Sequence, residues 1–166
     1  MRVILSIIFF LNLNFSFSQS VTNKLKSFNS FKAGEKLEYK LQYGFLNASY
    51  ASLTLKEDVV NNEKVLRATS IGRTTGLARL FFKVDDTYET FFSFDKVQPL
   101  KSIRDIYEGG YVRNAETLYD YNSNTAFFHD KIKNIKKEFK IHPEIQEIIS
   151  TFYYLRKHFD ISSLKP

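Results

Sequence analysis

The stretch from Thr74 to Phe92, TTGLARLFFKVDDTYETFF, changes its period halfway along. Leu77, Leu80 and Phe81 stand at helical spacing. Beyond them Val84, Asp86, Tyr88, Thr90 and Phe92 fall on one side of an extended chain, with Asp85, Thr87, Glu89 and Phe91 on the other. A short helix at about 75–82, capped by Thr74 or Thr75, therefore runs directly into a strand. The segments on both sides also have strand periodicity. The chain is expected to lay down a sheet strand by strand, with this helix as a plug or lid.

The neighbouring segments supply the strands. Leu37, Tyr39, Leu41 and Tyr43 alternate strictly with Glu38, Lys40 and Gln42. A turn over Gly44 to Asn47 leads to a strand from Ala48 to Glu57. Asn61-Asn62 suits a hairpin turn because Asn tolerates positive φ. A third strand follows from about Lys64 to Arg73, with Gly72 expected at a bulge or exit. After a turn over Phe94 to Gln98, Pro99 fits only the start of a strand. Strands at Leu100 to Glu108 and Tyr111 to Tyr121 are joined by Gly109-Gly110. A two-residue loop sets Glu108 opposite Tyr111, Ile106 opposite Arg113 and Arg104 opposite Ala115. Apolar side chains then lie on both faces, which suggests a curved sheet covered on one side and lining a cavity on the other. Asn122 to Asn124 makes a further turn, and Thr125 to Ile141 gives one or two Lys-rich strands around Asn134. A helix at about 144–158 begins at Pro143, has Glu144 and Glu147 near its start, and ends on Arg156, Lys157 and His158. Its expected buried stripe is Ile145, Ile148, Ile149, Phe152 and Leu155.

A length of 166 residues suits one domain. The 17 Phe and 10 Tyr suit strands and large buried surfaces. The absence of Cys excludes disulfides, thiolate metal sites, cysteine nucleophiles and a lipid-bearing N-terminal cysteine. Residues 1–18 have the pattern of a cleaved signal peptide. Arg2 precedes an apolar run from Val3 to Leu13, and Ser16 and Ser18 supply small residues before Gln19. The run is shorter than the ~20 residues a membrane span needs. The expected location is the periplasm, residues 19–33 are a flexible lead-in, and residues 34–166 form a single β-rich domain. The formal charge of +6 hints at an anionic neighbour. Nucleic acid is not a partner of an exported protein.

Motifs for catalysis are missing. The chain has no nucleophile elbow, zincin motif, P-loop or dinucleotide fingerprint. His129, His142 and His158 lack metal-ligand spacing, so neither a metal nor a cofactor is expected. Asp85 and Asp86 point to opposite faces of a strand, as do Asp86 and Glu89, so neither couple forms a general acid and base. These acids are expected to pair with Arg104 or Arg113 on neighbouring strands, or with Arg73 or Arg79 nearby. Lys131, Lys133, Lys136, Lys137 and Lys140 form a basic run that could touch anionic lipid or another polyanion; the expectation preferred is a solvated edge strand guarded by lysine. Residues singled out as ligand-lining or ion-pairing are Arg73, Leu77, Phe81, Asp86, Tyr88, Arg104, Tyr111 and Arg113.

Several ordered motifs carry a family resemblance. They are Gly34-Glu35-Lys36-Leu37, Thr75-Gly76-Leu77 with Leu80-Phe81, Val84-Asp85-Asp86 with Tyr88-Glu89, Glu108-Gly109-Gly110-Tyr111, and Tyr153-Tyr154-Leu155-Arg156. Between Gly34 and Arg156 the chain resembles the exported bacterial family known as domain of unknown function 3108. The resemblance implies an envelope protein of Gram-negative bacteria with a largely antiparallel sheet, similar to the unclosed barrels that carry lipoproteins across the periplasm. It implies no activity. Members usually continue past the helix with further strands, so the chain is expected to be truncated at its C-terminus.

The fold expected is mainly β: an antiparallel meander curved into an incompletely closed barrel, with one short and one longer helix. The function expected first is a periplasmic binding or carrier module for a hydrophobic or amphiphilic ligand, such as a lipid or envelope glycolipid. The alternative is an envelope scaffold or assembly factor that binds another protein through its sheet edge. A polysaccharide-acting enzyme using Asp86, Glu89 and Arg113 stands last.

Overall fold

A computed structural model describes residues 30–158. The expected signal peptide and most of the lead-in lie outside the described residues. Eight strands form one antiparallel sheet in sequential order: β1 (Lys36–Tyr43), β2 (Leu46–Val60), β3 (Glu63–Thr74), β4 (Asp85–Phe92), β5 (Pro99–Glu108), β6 (Tyr111–Asp120), β7 (Thr125–Asp130) and β8 (Ile135–Lys140). Helix α1 (Gly76–Phe81) connects β3 to β4, and α2 (Ile148–His158) follows β8. Among the described residues the sheet is not closed: β1 and β8 each have a neighbour on one side only. This is the curved, incompletely closed meander that the alternation implies.

The two-residue hairpins fix the register. Asn61 and Asn62 adopt φ of 51° and 64°, and Gly109 and Gly110 adopt 54° and 98°. These are the left-handed conformations that match the twist of a tight hairpin. The Gly-Gly loop sets Glu108 against Tyr111, Ile106 against Arg113 and Arg104 against Ala115, as its length requires. Pro99 opens β5. The turn after β1 is shorter than expected, because β2 already starts at Leu46. Gly72 marks no bulge: it pairs in register with Ala51 on one side and Asp86 on the other. The register shifts fall at Leu41/Gln42 and Phe91/Phe92 instead.

Alternation gives the sheet an inner and an outer face. The inner face carries Leu37, Leu53, Leu55, Leu66, Ala68 and Phe92, and α2 packs on it through Ile149 and Tyr153. Tyr153 is fully buried. Its ring stacks 5.3 Å from Phe92 and 4.9 Å from Phe31, so Phe31, at the end of the expected lead-in, belongs to the core. Val97 is also fully buried there, at a φ of 55°. A β-branched residue rarely adopts that conformation, and burial holds it in place. Arg156 fastens the first strand to α2: its guanidinium donates to both Glu35 carboxylate oxygens at 2.6 and 2.7 Å.

Four expectations about the helices are overturned. α2 begins at Ile148, not at Pro143, because Glu147 caps it: the Glu147 carboxylate accepts from the Ile149 and Ser150 amides at 2.9 and 2.7 Å. Pro143 lies in the preceding turn, where its carbonyl accepts from Gln98. The buried stripe is Ile149, Ser150 and Tyr153, while Ile148 and Leu155 are exposed. Neither threonine caps α1 by its side chain; Thr75 donates instead to the Asn47 carbonyl and Thr74 to the Phe82 carbonyl. Nor does α1 plug the sheet, since none of its residues is buried.

The outer face is laced by ion pairs between neighbouring strands, although Val65 and Phe91 on it are buried. Arg67 on β3 bonds Glu89 on β4 and reaches Asp58 on β2, and Lys101 and Lys131 flank Glu116. α2 covers part of the same inner face that carries Asp86, Tyr88 and Arg104, whereas the sequence suggests a cover on one face and a cavity on the other. Replacing Tyr153 by Ala is expected to cost about 3–5 kcal/mol in urea denaturation. Tyr153→Phe is expected to leave stability unchanged or raise it, because the buried hydroxyl has no hydrogen-bond partner among the described residues. A loss above about 1 kcal/mol for the Phe variant would mean that the hydroxyl is bonded.

Candidate functional site

The sheet brings five of the eight singled-out residues onto its inner face. Register aligns Ser70, Tyr88, Arg104, Ala115, Asp130 and Ile135 in one row across β3 to β8. Asp86, Tyr111 and Arg113 lie on the same face, nearer the end that bears α1. Arg73 points to the outer face beside Asp85, and Leu77 and Phe81 stand exposed on α1.

The acids find partners only partly as expected. Asp85 accepts two hydrogen bonds from Arg79, at 2.9 and 2.7 Å, with Arg73 and Lys83 close by. The Arg79 guanidinium holds its carboxyl down at about 2. Glu89 pairs with Arg67 on the outer face, so Asp86, Glu89 and Arg113 are not brought together. Asp86 is buried and accepts from the Tyr107 amide at 3.0 Å instead of from an arginine. Arg113 lies 3.7 Å from Asp130 and over the Phe128 ring.

Sequence reasoning misses Glu108. It lies beside Asp86, and that neighbouring carboxylate pushes its carboxyl above the usual glutamate range. The hairpin loop announces the pairing of Glu108 with β6. The β4–β5 register that delivers Asp86 to it depends on the Ser93 to Gln98 connection and a shift at Phe92, and neither can be counted from sequence.

Arg104 is the exception on this face. It is half-buried beside Tyr88 and Tyr119, and both phenols interact electrostatically with it; Tyr88 also feels the Asp86 and Glu108 carboxylates, and Tyr119 feels that of Glu147. Burial raises both phenols above their ordinary values. Tyr119 and Ser102 hydroxyls sit 3.4 Å apart next to it. No carboxylate forms an ion pair with Arg104 among the described residues. The inner face also exposes Tyr39, Leu41, Tyr111 and Phe139. A guanidinium set among phenols and apolar rings can take an anionic group attached to an apolar body.

Among the described residues no cluster of His, Asp and Glu could hold a metal ion, and no helix is long and apolar enough to cross a membrane. The family model described as Protein of unknown function (DUF3108) matches residues 38–166. No curated protein and no solved structure matches the chain.

The two perturbed carboxyls respond to pH with opposite sign. The folded pKa of Asp85 is depressed, so its pairing stabilises fully above the ordinary value of 3.8 and is lost as pH falls through about 2. The folded pKa of Glu108 is raised, so its contribution is present below the ordinary value and lost as pH rises through the elevated one. Carboxyl NMR titration is expected to show Asp85 as the more acidic and Glu108 as the less acidic of the two. Asp86→Asn should return Glu108 to the ordinary range. An ordinary Glu108 titration in the unsubstituted chain would contradict the arrangement.

Proposed function

Because the chain belongs to the DUF3108 family of proteins of unknown function, we propose its role from its own side chains: an exported module that binds an amphiphile carrying an anionic group. The observation that carries this reading is Arg104, a half-buried guanidinium on the inner face with no carboxylate pairing it among the described residues. Partial burial weakens the hydration of a charge, so an anion placed there gains more than it would at a fully solvated lysine. Tyr88 and Tyr119 lie beside the charge, and their hydroxyls offer donors to the same group. The apolar part of the ligand would lie along Tyr39, Leu41 and Tyr111, which face solvent on that side of the sheet. A lipid or envelope glycolipid with a phosphate or carboxylate has this chemistry. The signal-peptide pattern of residues 1–18 supports a periplasmic location for the encounter.

A second reading, an envelope scaffold that adds a partner strand, is favoured by one observation. β8 is exposed along its whole length and pairs on one side only among the described residues. Its Lys136, Lys137 and Lys140 oppose that reading, because lysine on an edge discourages strand addition.

Calorimetric titration with dodecyl phosphate below its micellar concentration tests the first reading. Arg104→Ala is expected to weaken binding by about tenfold or more, near 1.4 kcal/mol. Arg104→Lys should retain part of the affinity, and neutral dodecyl maltoside should bind weakly and be insensitive to the substitution. Equal affinity of the unsubstituted chain and Arg104→Ala for dodecyl phosphate would overturn the reading.

A further inference from the structure

The two ends of the sheet differ in kind. In a meander, the connections leaving β1, β3, β5 and β7 all lie at one end, and those leaving β2, β4 and β6 at the other. The second end turns on Asn61-Asn62, on Ser93 to Gln98 and on Asn122 to Asn124, and it is closed by α2. The first end turns on apolar side chains that face solvent. Phe45, in the β1–β2 turn, is 93% exposed, and Leu80 and Phe81 on α1 are 80% and 88% exposed. Phe82, Tyr111, Val112 and Ile132 extend the same patch across the later connections.

This exposure is built into the chain. α1 is amphipathic in the reverse sense: Arg79 turns inward and its leucine and phenylalanine side chains turn out. The Arg79 guanidinium grips Asp85 and also donates to the Thr74 and Val84 carbonyls at 3.3 Å. The Thr75 amide donates to the Ala48 carbonyl at 2.9 Å. On the far side the Phe82 ring lies against Gly109, where a Cβ would collide with it. The Gly109 amide donates to the Lys83 carbonyl at 2.8 Å, so the β5–β6 turn clasps the end of α1. A helix pinned this way holds Leu80 and Phe81 outward in one orientation.

Cations accompany the apolar tips, several of them already paired. Asp85 is surrounded by Arg73, Arg79 and Lys83, and in the β7–β8 turn Lys131 reaches Glu116 while exposed Lys133 lies beside Ile132. We propose that this end of the sheet docks onto an anionic lipid bilayer, with Phe45, Leu80 and Phe81 entering the headgroup boundary and the lysines meeting lipid charge. The tips come from separate connections, the β1–β2 turn and α1. Insertion into a bilayer requires only apolar area and charge, whereas a protein partner would need a matched surface. Docking of this end is independent of ligand binding at Arg104.

Flotation of the chain with vesicles of phosphatidylethanolamine and phosphatidylglycerol tests it. The unsubstituted chain is expected to float, and to float less with neutral phosphatidylcholine. The triple variant Phe45→Ser, Leu80→Ser, Phe81→Ser should lower the bound fraction about tenfold or more while its circular dichroism stays unchanged. Val59→Ser with Ile148→Ser, which removes exposed apolar groups at the other end, should float as the unsubstituted chain does. No flotation of the unsubstituted chain, or equal flotation of the triple variant, would overturn the proposal. So would a dimer in sedimentation that the triple variant dissolves without any vesicle binding, which would assign the patch to a second copy of the chain.

Discussion

The fold depends on the contact between Tyr153 and Phe92. A single sheet has two faces and needs cover on at least one of them. Here, among the described residues, the cover is a helix of 11 residues packed on the inner face of β2 to β4. Tyr153 anchors it by filling the space among Phe31, Phe92 and the leucines of β2 and β3. Arg156 then draws Glu35 and Ser30 onto the same helix, so the start of the sheet and the last described helix close around one aromatic cluster.

The rest of the inner face follows from how little α2 covers. Beyond the helix, polar groups must satisfy one another or remain half-solvated. Asp86 turns to the Tyr107 amide, and Asp130 takes the Ile132 and Lys133 amides with Arg113 nearby. Glu147 commits its carboxylate to the α2 cap and to Thr90. Arg104 is left beside two tyrosines without a carboxylate among the described residues. On the outer face the opposite holds: Arg67, Lys101 and Lys131 all lie against carboxylates.

How much of this is legible in the sequence depends on loop length. Where two residues join two strands, as at Asn61-Asn62 and Gly109-Gly110, the register follows residue by residue, and the Gly-Gly loop alone sets Arg104 opposite Ala115. The chain between β4 and β5 hides its outcome, because Val97 enters the core at positive φ and Phe92 shifts register. That conceals both the partner of Asp86 and the neighbour of Glu108. The α2 stripe misleads because Ile145, Ile148 and Leu155 satisfy helical spacing as well as Ile149 and Tyr153 do. Only the tertiary position of Phe92 decides which side faces inward. The expected arginine partners fail similarly: periodicity places Glu89 on a face, but the β3–β4 register selects Arg67.

The measurement that bears most directly on a ligand site at Arg104 is hydrogen–deuterium exchange of the chain with and without dodecyl phosphate. Slowed exchange is expected in peptides of β4, β5 and β6 that contain Tyr88, Arg104 and Tyr119, with α1 unaffected. Slowing confined to α1, or no slowing on those three strands at saturating amphiphile, would contradict a ligand site on the inner face.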